Sequence, residues 1–144
     1  KFYICIILDL YSRKIVGGKV STSNSTHLTK CTFKQAYENR KPTDLLFHSD
    51  QGTQYTAFSF RKLLLKYGVT QSFSAPGSPY DNAVMECFFK YMKKEETDRR
   101  NYQSLGELNQ SLFTYINGFY NSVRPHSHNN GLTPNQKEAL LMSV

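Results

Sequence analysis

Two acids in this sequence have the surroundings of metal ligands: Asp50, in LLFHSDQGTQY, and Glu86, in SPYDNAVMECFFKYMKK. Carboxylate oxygens are hard donors that suit Mg²⁺ or Mn²⁺, where His and Cys clusters would suit zinc. Ions held between such acids activate a water or hydroxyl for attack and stabilise a leaving oxygen. Asp50 needs a strand to position it. The apolar run Leu45, Leu46, Phe47 supplies one, breaking at His48, Ser49, Asp50, Gln51 and Gly52. In α/β sheets, ligands bind beside the carboxyl ends of strands, so an acid there faces a site rather than the core. Strand alternation puts His48 on the same face.

Glu86 needs a helix. Taken at about 100° per residue, Val84, Met85, Cys87, Phe88, Phe89, Tyr91 and Met92 fill about 200° of arc, which predicts a helix that is nearly all buried. The narrow strip left over holds Glu86, Lys90, Lys93 and Lys94. Alone, that strip reads as a solvated edge with a Glu86 to Lys90 pair at i, i+4, a pairing that stabilises a helix by a few tenths of a kcal/mol. The combination with Asp50 shifts the reading toward a ligand.

HSDQGTQY, then 35 residues between Asp50 and Glu86, then DNAVMECFFKYMKKE together resemble the catalytic cores of bacterial insertion-sequence transposases, relatives of retroviral integrases. DLYSRKIVGG near the start and YNSVRPHSHNNGLTPNQ near the end extend the resemblance over almost the whole chain. Each motif is weak alone; the set is specific. The resemblance implies one integrase-like catalytic core over residues 1–144, an α/β fold of ribonuclease H-like type with a mixed sheet flanked by helices. It implies an Asp, Asp, Glu triad in which Asp50 bridges two Mg²⁺ or Mn²⁺ ions and Glu86 holds one. Lys93, seven residues after Glu86, stands where the family has a Lys. With Lys90 and Lys94 it is expected to hold the DNA backbone, giving salt-dependent affinity and little sequence information. The implied activity is polynucleotidyl transfer: hydrolysis at element ends and joining of the freed 3′-ends to target DNA. The implied partners are DNA and further copies of the chain, because two ends must be brought together.

The first acid of the triad is missing from this reading. KFYICIILDL reads as a buried strand that Asp9 closes, Ser12, Arg13 and Lys14 make a turn, and Ile15 to Ser21 returns as a second strand, with Gly17 and Gly18 permitting a bulge or close backbone approach. Asp9 is acidic and ends a strand. The family's first Asp nevertheless lies on a strand before this hairpin, and DLYSRKIVGG matches the segment after that strand. Asp9 is therefore expected to cap a turn. The chain is expected to be truncated at its N-terminal side, lacking the central strand, so that the sheet has a gap or another segment fills it, strand exchange between two chains included.

The remaining elements are set by periodicity and caps. A helix is expected from Ser23 to Asn39 with an early Ser or Thr cap, ended by Lys41-Pro42. His27 and Cys31 at i, i+4 have zinc spacing but no second pair. Thr43 to Ser49 is expected as the strand to Asp50, Phe58 to Tyr67 as a helix stopped by Gly68, and Val69 to Ser74 as a strand completing a crossover. APGSPYDNA reads as a mobile flap, with Ser78-Pro79 or Asp81 starting the next helix and Asn82 four residues before Glu86. Ser104 with Glu107 caps a helix whose core positions are Leu105, Leu108, Leu112, Ile116 and Phe119. NSVRPHSHNNG reads foremost as a solvated connector, and otherwise as a place where Arg124, His126 and His128 contact phosphate or a partner subunit. Thr133-Pro134 with Gln136 starts a last helix reaching about Met142.

Composition agrees without leading. With 144 residues at 39% hydrophobic, the chain is long enough for one core, and a net charge of +7 with a pI near 9.3 favours nucleic acid over a membrane surface as partner. No apolar run approaches the roughly 18 residues of a transmembrane helix, and no signal peptide is recognisable. A soluble, bacterial cytoplasmic protein is expected, associated with the nucleoid when it acts. Cys5, Cys31 and Cys87 read as reduced, small core residues rather than a disulfide framework. Two alternatives stay open: an inactive DNA-binding or assembly fragment of a transposase that lacks the first Asp, and a cellular ribonuclease H or junction resolvase. The 35-residue gap and the Lys after Glu86 disfavour the second.

Overall fold

The computed structural model describes residues 1–75 and 83–142. The flap residues Ser78, Pro79, Asp81 and Asn82 lie outside them. In order, the elements are β1 (Tyr3–Leu8), β2 (Ile15–Ser21), α1 (Thr26–Arg40), β3 (Leu46–Ser49), α2 (Thr53–Thr56), α3 (Phe58–Lys66), β4 (Thr70–Phe73), α4 (Ala83–Glu95), a 3-10 turn (Thr97–Arg99), α5 (Leu105–Tyr115), a π turn (Ile116–Tyr120), a second 3-10 turn (Ser127–Asn129) and α6 (Pro134–Met142).

Alternating β-branched and apolar residues draw the first two strands into an antiparallel hairpin, Tyr3 opposite Ser21 and Ile6 opposite Gly18, with a bulge at Ile7/Leu8. Its turn is closed by the Asp9 amide donating to the Lys14 carbonyl at 2.8 Å. β2 lies close under α1: a side chain at Gly17 would meet the Ala36 methyl and the Thr32 carbonyl, each at 3.1 Å, so this position needs a glycine for packing. β3 and β4 pair in parallel, Leu46 opposite Thr70 and Ser49 opposite Phe73, joined by the α2–α3 crossover.

The two pairs are not hydrogen-bonded to each other: among the described residues β1 pairs with β2 alone and β3 with β4 alone. Each pair has its own core. Ile6 and Ile15 pack with Phe88, Met92, Leu112, Tyr115, Ile116 and Tyr120 of α4, α5 and the π turn. Phe47 packs with Phe33 of α1, Phe60, Leu63 and Leu64 of α3, and Val69. Between them runs a cleft of about 1430 Å³. Consecutive residues of β1 from Ile4 to Asp9 and of the β3 segment from Leu45 to Asp50 line it. Successive strand residues point to opposite faces, so a cleft touching all of them meets each strand along its edge. The mixed layout with an interrupted sheet matches the expectation.

Helix ends obey the sequence signals. Ser25 caps α1 by accepting from the Leu28 amide at 3.3 Å, and Ser104 caps α5 by accepting from the Glu107 amide at 3.2 Å. Thr133 and Gln136 form a reciprocal capping box, the Gln136 amide donating to Thr133 Oγ1 at 3.1 Å and the Thr133 amide to Gln136 Oε1 at 2.9 Å.

Four expectations are corrected. The strand to Asp50 begins at Leu46 rather than Thr43, because Asp44 has left-handed backbone at φ 53°. α4 is not nearly all buried: Phe88 and Met92 are, while Cys87 is exposed and Met85 and Phe89 are half-buried, packed against the hairpin core and lining the cleft. Phe119 is 38% exposed and Tyr120 takes the core place at 4%. The π turn causes this: the Asn121 amide bonds to the Ile116 carbonyl at 2.9 Å, an i, i+5 bond that widens the turn and rotates the residues beyond it.

The fourth concerns NSVRPHSHNNG, which is a structural strap rather than a solvated connector. Buried Asn121 behaves like a strand partner, its Oδ1 accepting from the Ile15 amide at 2.9 Å and its Nδ2 donating to the Ile15 carbonyl at 3.0 Å. Asn129 Nδ2 donates to the Ser12 carbonyl at 2.7 Å. Arg124 pairs with Glu95 at 3.0 Å and covers the Tyr91 ring at 4.1 Å, and His126 is buried against Tyr120. Of the three candidate phosphate contacts in this strap, His128 alone is exposed, 3.2 Å from Arg13.

Candidate functional site

Asp50 sits one residue past the end of β3, where extended backbone gives way to the turn into α2. Its Oδ1 accepts from the Gly52 amide at 2.8 Å. A Cβ at Gly52 would lie 2.9 Å from Asp50 Oδ1 and 2.8 Å from Gln54 Oε1, so a side chain there would push both of these side-chain ends aside. Ser49 is buried and its hydroxyl donates to the Asp50 carbonyl at 2.8 Å, and the Gln51 side-chain amide donates to the Ser74 carbonyl at 3.0 Å. His48 is exposed on the same side of the strand as Asp50, as alternation required. Burial pushes the Tyr55 phenol well above its ordinary range, with Cys5 and the Asp50 charge adding to it, which places Tyr55 within reach of the Asp50 field.

Glu86 projects from the first turn of α4 into the same cleft that Asp50 lines. Both acids are exposed, and among the described residues neither has a cation within ion-pair distance, so the Glu86 to Lys90 pair of the simpler reading is not formed. Four other acids are paired, Asp9 and Glu138 with Arg40, Glu96 with Arg100 and Glu95 with Arg124, while Glu38, Asp44, Asp98 and Glu107 have no ion pair among the described residues and do not line the cleft. What sets Asp50 and Glu86 apart is that both unpaired carboxylates line the same cleft. Lys90 and Lys93 line the cleft with them. Lys94 is exposed on the helix surface and does not line it.

Asp9 also borders the cleft but is engaged elsewhere. Its Oδ1 accepts from the Tyr11 amide at 2.9 Å and its Oδ2 from Arg40 at 3.1 Å, a turn cap with a guanidinium on it. Among the described residues no three of His, Cys, Asp and Glu converge as a metal set. His27 Nε2 lies 3.4 Å from Cys31 Sγ with no further ligand among those residues, so the zinc spacing leads nowhere. The bracing of Asp50 by Ser49, Gln51 and Ser74 was not anticipated. The signal available for it was small polar residues flanking an acid at the end of an apolar run.

Comparison with known proteins identifies the family and the fold. Two family models, both described as the integrase core domain, match residues 1–79 and 67–134. A Lactococcus lactis protein described as an ATP-dependent protease is 46% identical over 130 residues, 90% of this chain and 39% of that protein. The transposase of insertion sequence element IS904 from L. lactis is 38% identical over 87% of this chain and 50% of its own length. Transposase InsF of insertion sequence IS3A from Escherichia coli is 33% identical over 94% and 48%. The chain thus spans half or less of the length of these relatives. Among solved structures, the catalytic core domain of BIV integrase superposes with a TM-score of 0.70 at 20% identity over 99% of this chain and 88% of that one. A chain of the simian T-cell lymphotropic virus intasome in complex with the PP2A regulatory subunit B56 gamma gives 0.74 at 15% identity over 94% and 47%. The fold is ribonuclease H-like, and with the integrase core model covering more than half of its residues, the chain belongs to the integrase core domain family, beside the transposases of bacterial insertion sequences.

Proposed function

We propose that this chain is the core of an insertion-sequence transposase that cuts and joins DNA phosphodiesters with Mg²⁺ or Mn²⁺ held by Asp50 and Glu86. The observation that carries the proposal is that these two unpaired carboxylates line one cleft, which Lys90 and Lys93 line as well. The donor set fits: two exposed hard-oxygen groups, one steadied by the Gly52 amide. Divalent cations at such a site supply activation of an attacking oxygen and stabilisation of the leaving one at a phosphodiester. The chain's own contribution is placement. Asp50 is held rigidly at the end of β3, Glu86 rides on α4, and Lys90 and Lys93 hold the DNA backbone beside them, Lys94 reaching it from the outer surface of the helix. The transfer needs element ends and target DNA together, so the working form is an assembly of several copies. No helix among the described residues is long and apolar enough to cross a membrane, in keeping with a cytoplasmic site of action.

A second reading, a DNA-binding or assembly fragment without activity, is favoured by one specific observation: the cleft offers two acids, and Asp9 is committed to Arg40. A third carboxylate on an extended segment lying along the open edges of β1 and β3 would complete the set. Calorimetric titration with Mn²⁺, repeated on Asp50→Asn and Glu86→Gln, decides between them. Binding that either substitution abolishes supports the metal site. Binding no tighter than millimolar, restored by fusing an Asp-bearing extended segment ahead of Lys1, supports the fragment reading for the chain as it stands.

A further inference from the structure

Three candidates emerge outside the carboxylate pair: the exposed Phe58 and Leu65 of α3, the groove between α4 and α5, and the ring of His48. The first two have no feature that identifies an occupant. The third has geometry. His48 Nδ1 lies 2.6 Å from Ser72 Oγ and its Nε2 lies 3.0 Å from Ser74 Oγ, so one imidazole spans two hydroxyls on the same face of β4. Register explains the reach: His48 stands opposite Ser72 in the parallel ladder, and Ser74 comes two residues later.

Ser74 is the centre of the arrangement. It is 7% exposed, and each of its polar groups is taken by a residue within two positions of Asp50. The Ser74 amide donates to the Ser49 carbonyl at 2.8 Å, its carbonyl accepts from Gln51 Nε2 at 3.0 Å, and its hydroxyl meets His48 Nε2. Ser49 in turn donates to the Asp50 carbonyl at 2.8 Å. Asp50 lies beyond the last ladder pair, Ser49 opposite Phe73, so no strand pairing fixes it. The side-chain clasp holds it instead.

We infer that His48 is a positioning residue: by gripping Ser72 and Ser74 it locks the end of β4 to the Ser49–Gly52 segment and so holds the Asp50 carboxylate in its place in the cleft. A hydroxyl both donates and accepts, so either neutral tautomer of the ring is satisfied, one nitrogen donating and the other accepting. Outer partners that orient a metal ligand characteristically change metal affinity by about 10- to 100-fold when removed. The inference deepens the proposed function and rests on Asp50 holding a cation.

The test uses the chain with His48→Ala, His48→Gln, Ser74→Ala and the His48→Ala/Ser74→Ala double variant, and two readouts. Mn²⁺ titration is expected to show about tenfold weaker binding for His48→Ala, rescue to near the parent by His48→Gln, which keeps a donor and an acceptor, and a double variant no worse than the poorer single one. Amide hydrogen exchange is expected to rise at Ser49 to Gly52 and at Ser74 in His48→Ala and to stay unchanged in the β1–β2 hairpin. A Mn²⁺ affinity equal to the parent in His48→Ala, or unchanged exchange at Gly52, overturns the inference. So does a His48→Gln variant as weak as His48→Ala, because space-filling alone would then be at work. If the parent binds no Mn²⁺ while exchange at Gly52 rises in His48→Ala, the clasp stands and the metal reading falls.

Discussion

Replacing Asn121 by Ala should unfold this domain about 10 °C earlier than the parent chain. Asn121 is 2% exposed and its side chain closes two hydrogen bonds on Ile15, which is 4% exposed. Each such bond contributes about 1 kcal/mol net, and a buried partner left unpaired costs about 1–3 kcal/mol more. Water entering the space left by the amide would recover part of this, so we take about 3 kcal/mol for the whole. At about 2.1 cal/mol/K per residue, 144 residues give an unfolding entropy of about 0.3 kcal/mol/K, and the ratio is about 10 °C. Thermal melts by circular dichroism read this directly, with Val123→Ala, an exposed neighbour in the same strap, as a control expected to shift within about 0.5 kcal/mol. If Asn121→Ala melts within about 2 °C of the parent, about 0.6 kcal/mol on the same entropy, the strap does not act as a partner for β2 and the reasoning fails.

Three further outcomes are expected. Acid should destabilise the fold in two stages. Burial, with Arg124 nearby, holds the His126 pKa down, so its contribution is present above the unfolded value of 6.5 and starts to fall away as pH drops through it. Burial pushes Glu95 and Glu138 up, but bonds from Arg124 and Tyr115 to the one and from Arg40 and Ser12 to the other outweigh it and hold both below the ordinary 4.5, so their share is lost as pH falls below that value. Urea midpoints across about pH 3–8 should show both steps, and Glu95→Gln should flatten the lower one. Lys93→Ala should reduce the slope of log affinity against log salt for duplex DNA by about 1, measured by fluorescence anisotropy, equally for all sequences; an unchanged slope would remove Lys93 from the phosphate contacts. Gly52→Ala should weaken Mn²⁺ binding in calorimetry while the melting temperature moves by only a few degrees, because the clash at 2.9 Å falls on the Asp50 carboxylate rather than on the core.

What could be read from the sequence, and what could not, divides by the range of the interactions. The strands Tyr3–Leu8 and Ile15–Ser21, the end of the strand before Asp50, the caps at Ser25, Ser104 and Thr133, and the stop at Gly68 are local, decided by side chains a few residues apart, and they were legible. That Asp50 and Glu86 line one cleft could be anticipated only through the spacing of a family pattern, since nothing in 35 intervening residues encodes proximity by itself. The failures arose from distant partners. Asn121 and His126 look solvated in a Pro- and Gly-containing stretch until Ile15 and Tyr120 are placed beside them. Phe119 fits the 3.6-residue period that the π turn breaks, and Cys87 fits an apolar arc on a helix that buries one side. The grip of His48 on Ser74 depends on the register of two parallel strands, which periodicity does not specify.

The interrupted sheet has a mechanical consequence. Asp50 belongs to the half built on β3, β4 and α3, whereas the helix carrying Glu86 packs through Phe88 and Met92 onto the β1–β2 hairpin. Without a ladder between β1 and β3, the spacing of the two acids is set by how the halves seat against each other through α1, whose Phe33 faces one core while Thr32 and Ala36 press on Gly17 of the other half. Anything gripped by both acids therefore acts as a clamp across a seam. Its binding energy appears as resistance of the whole domain to unfolding, about 2.7 kcal/mol at a ligand concentration of about 100 Kd, so that heating the protein with and without the ligand measures occupancy of the site with no reaction taking place.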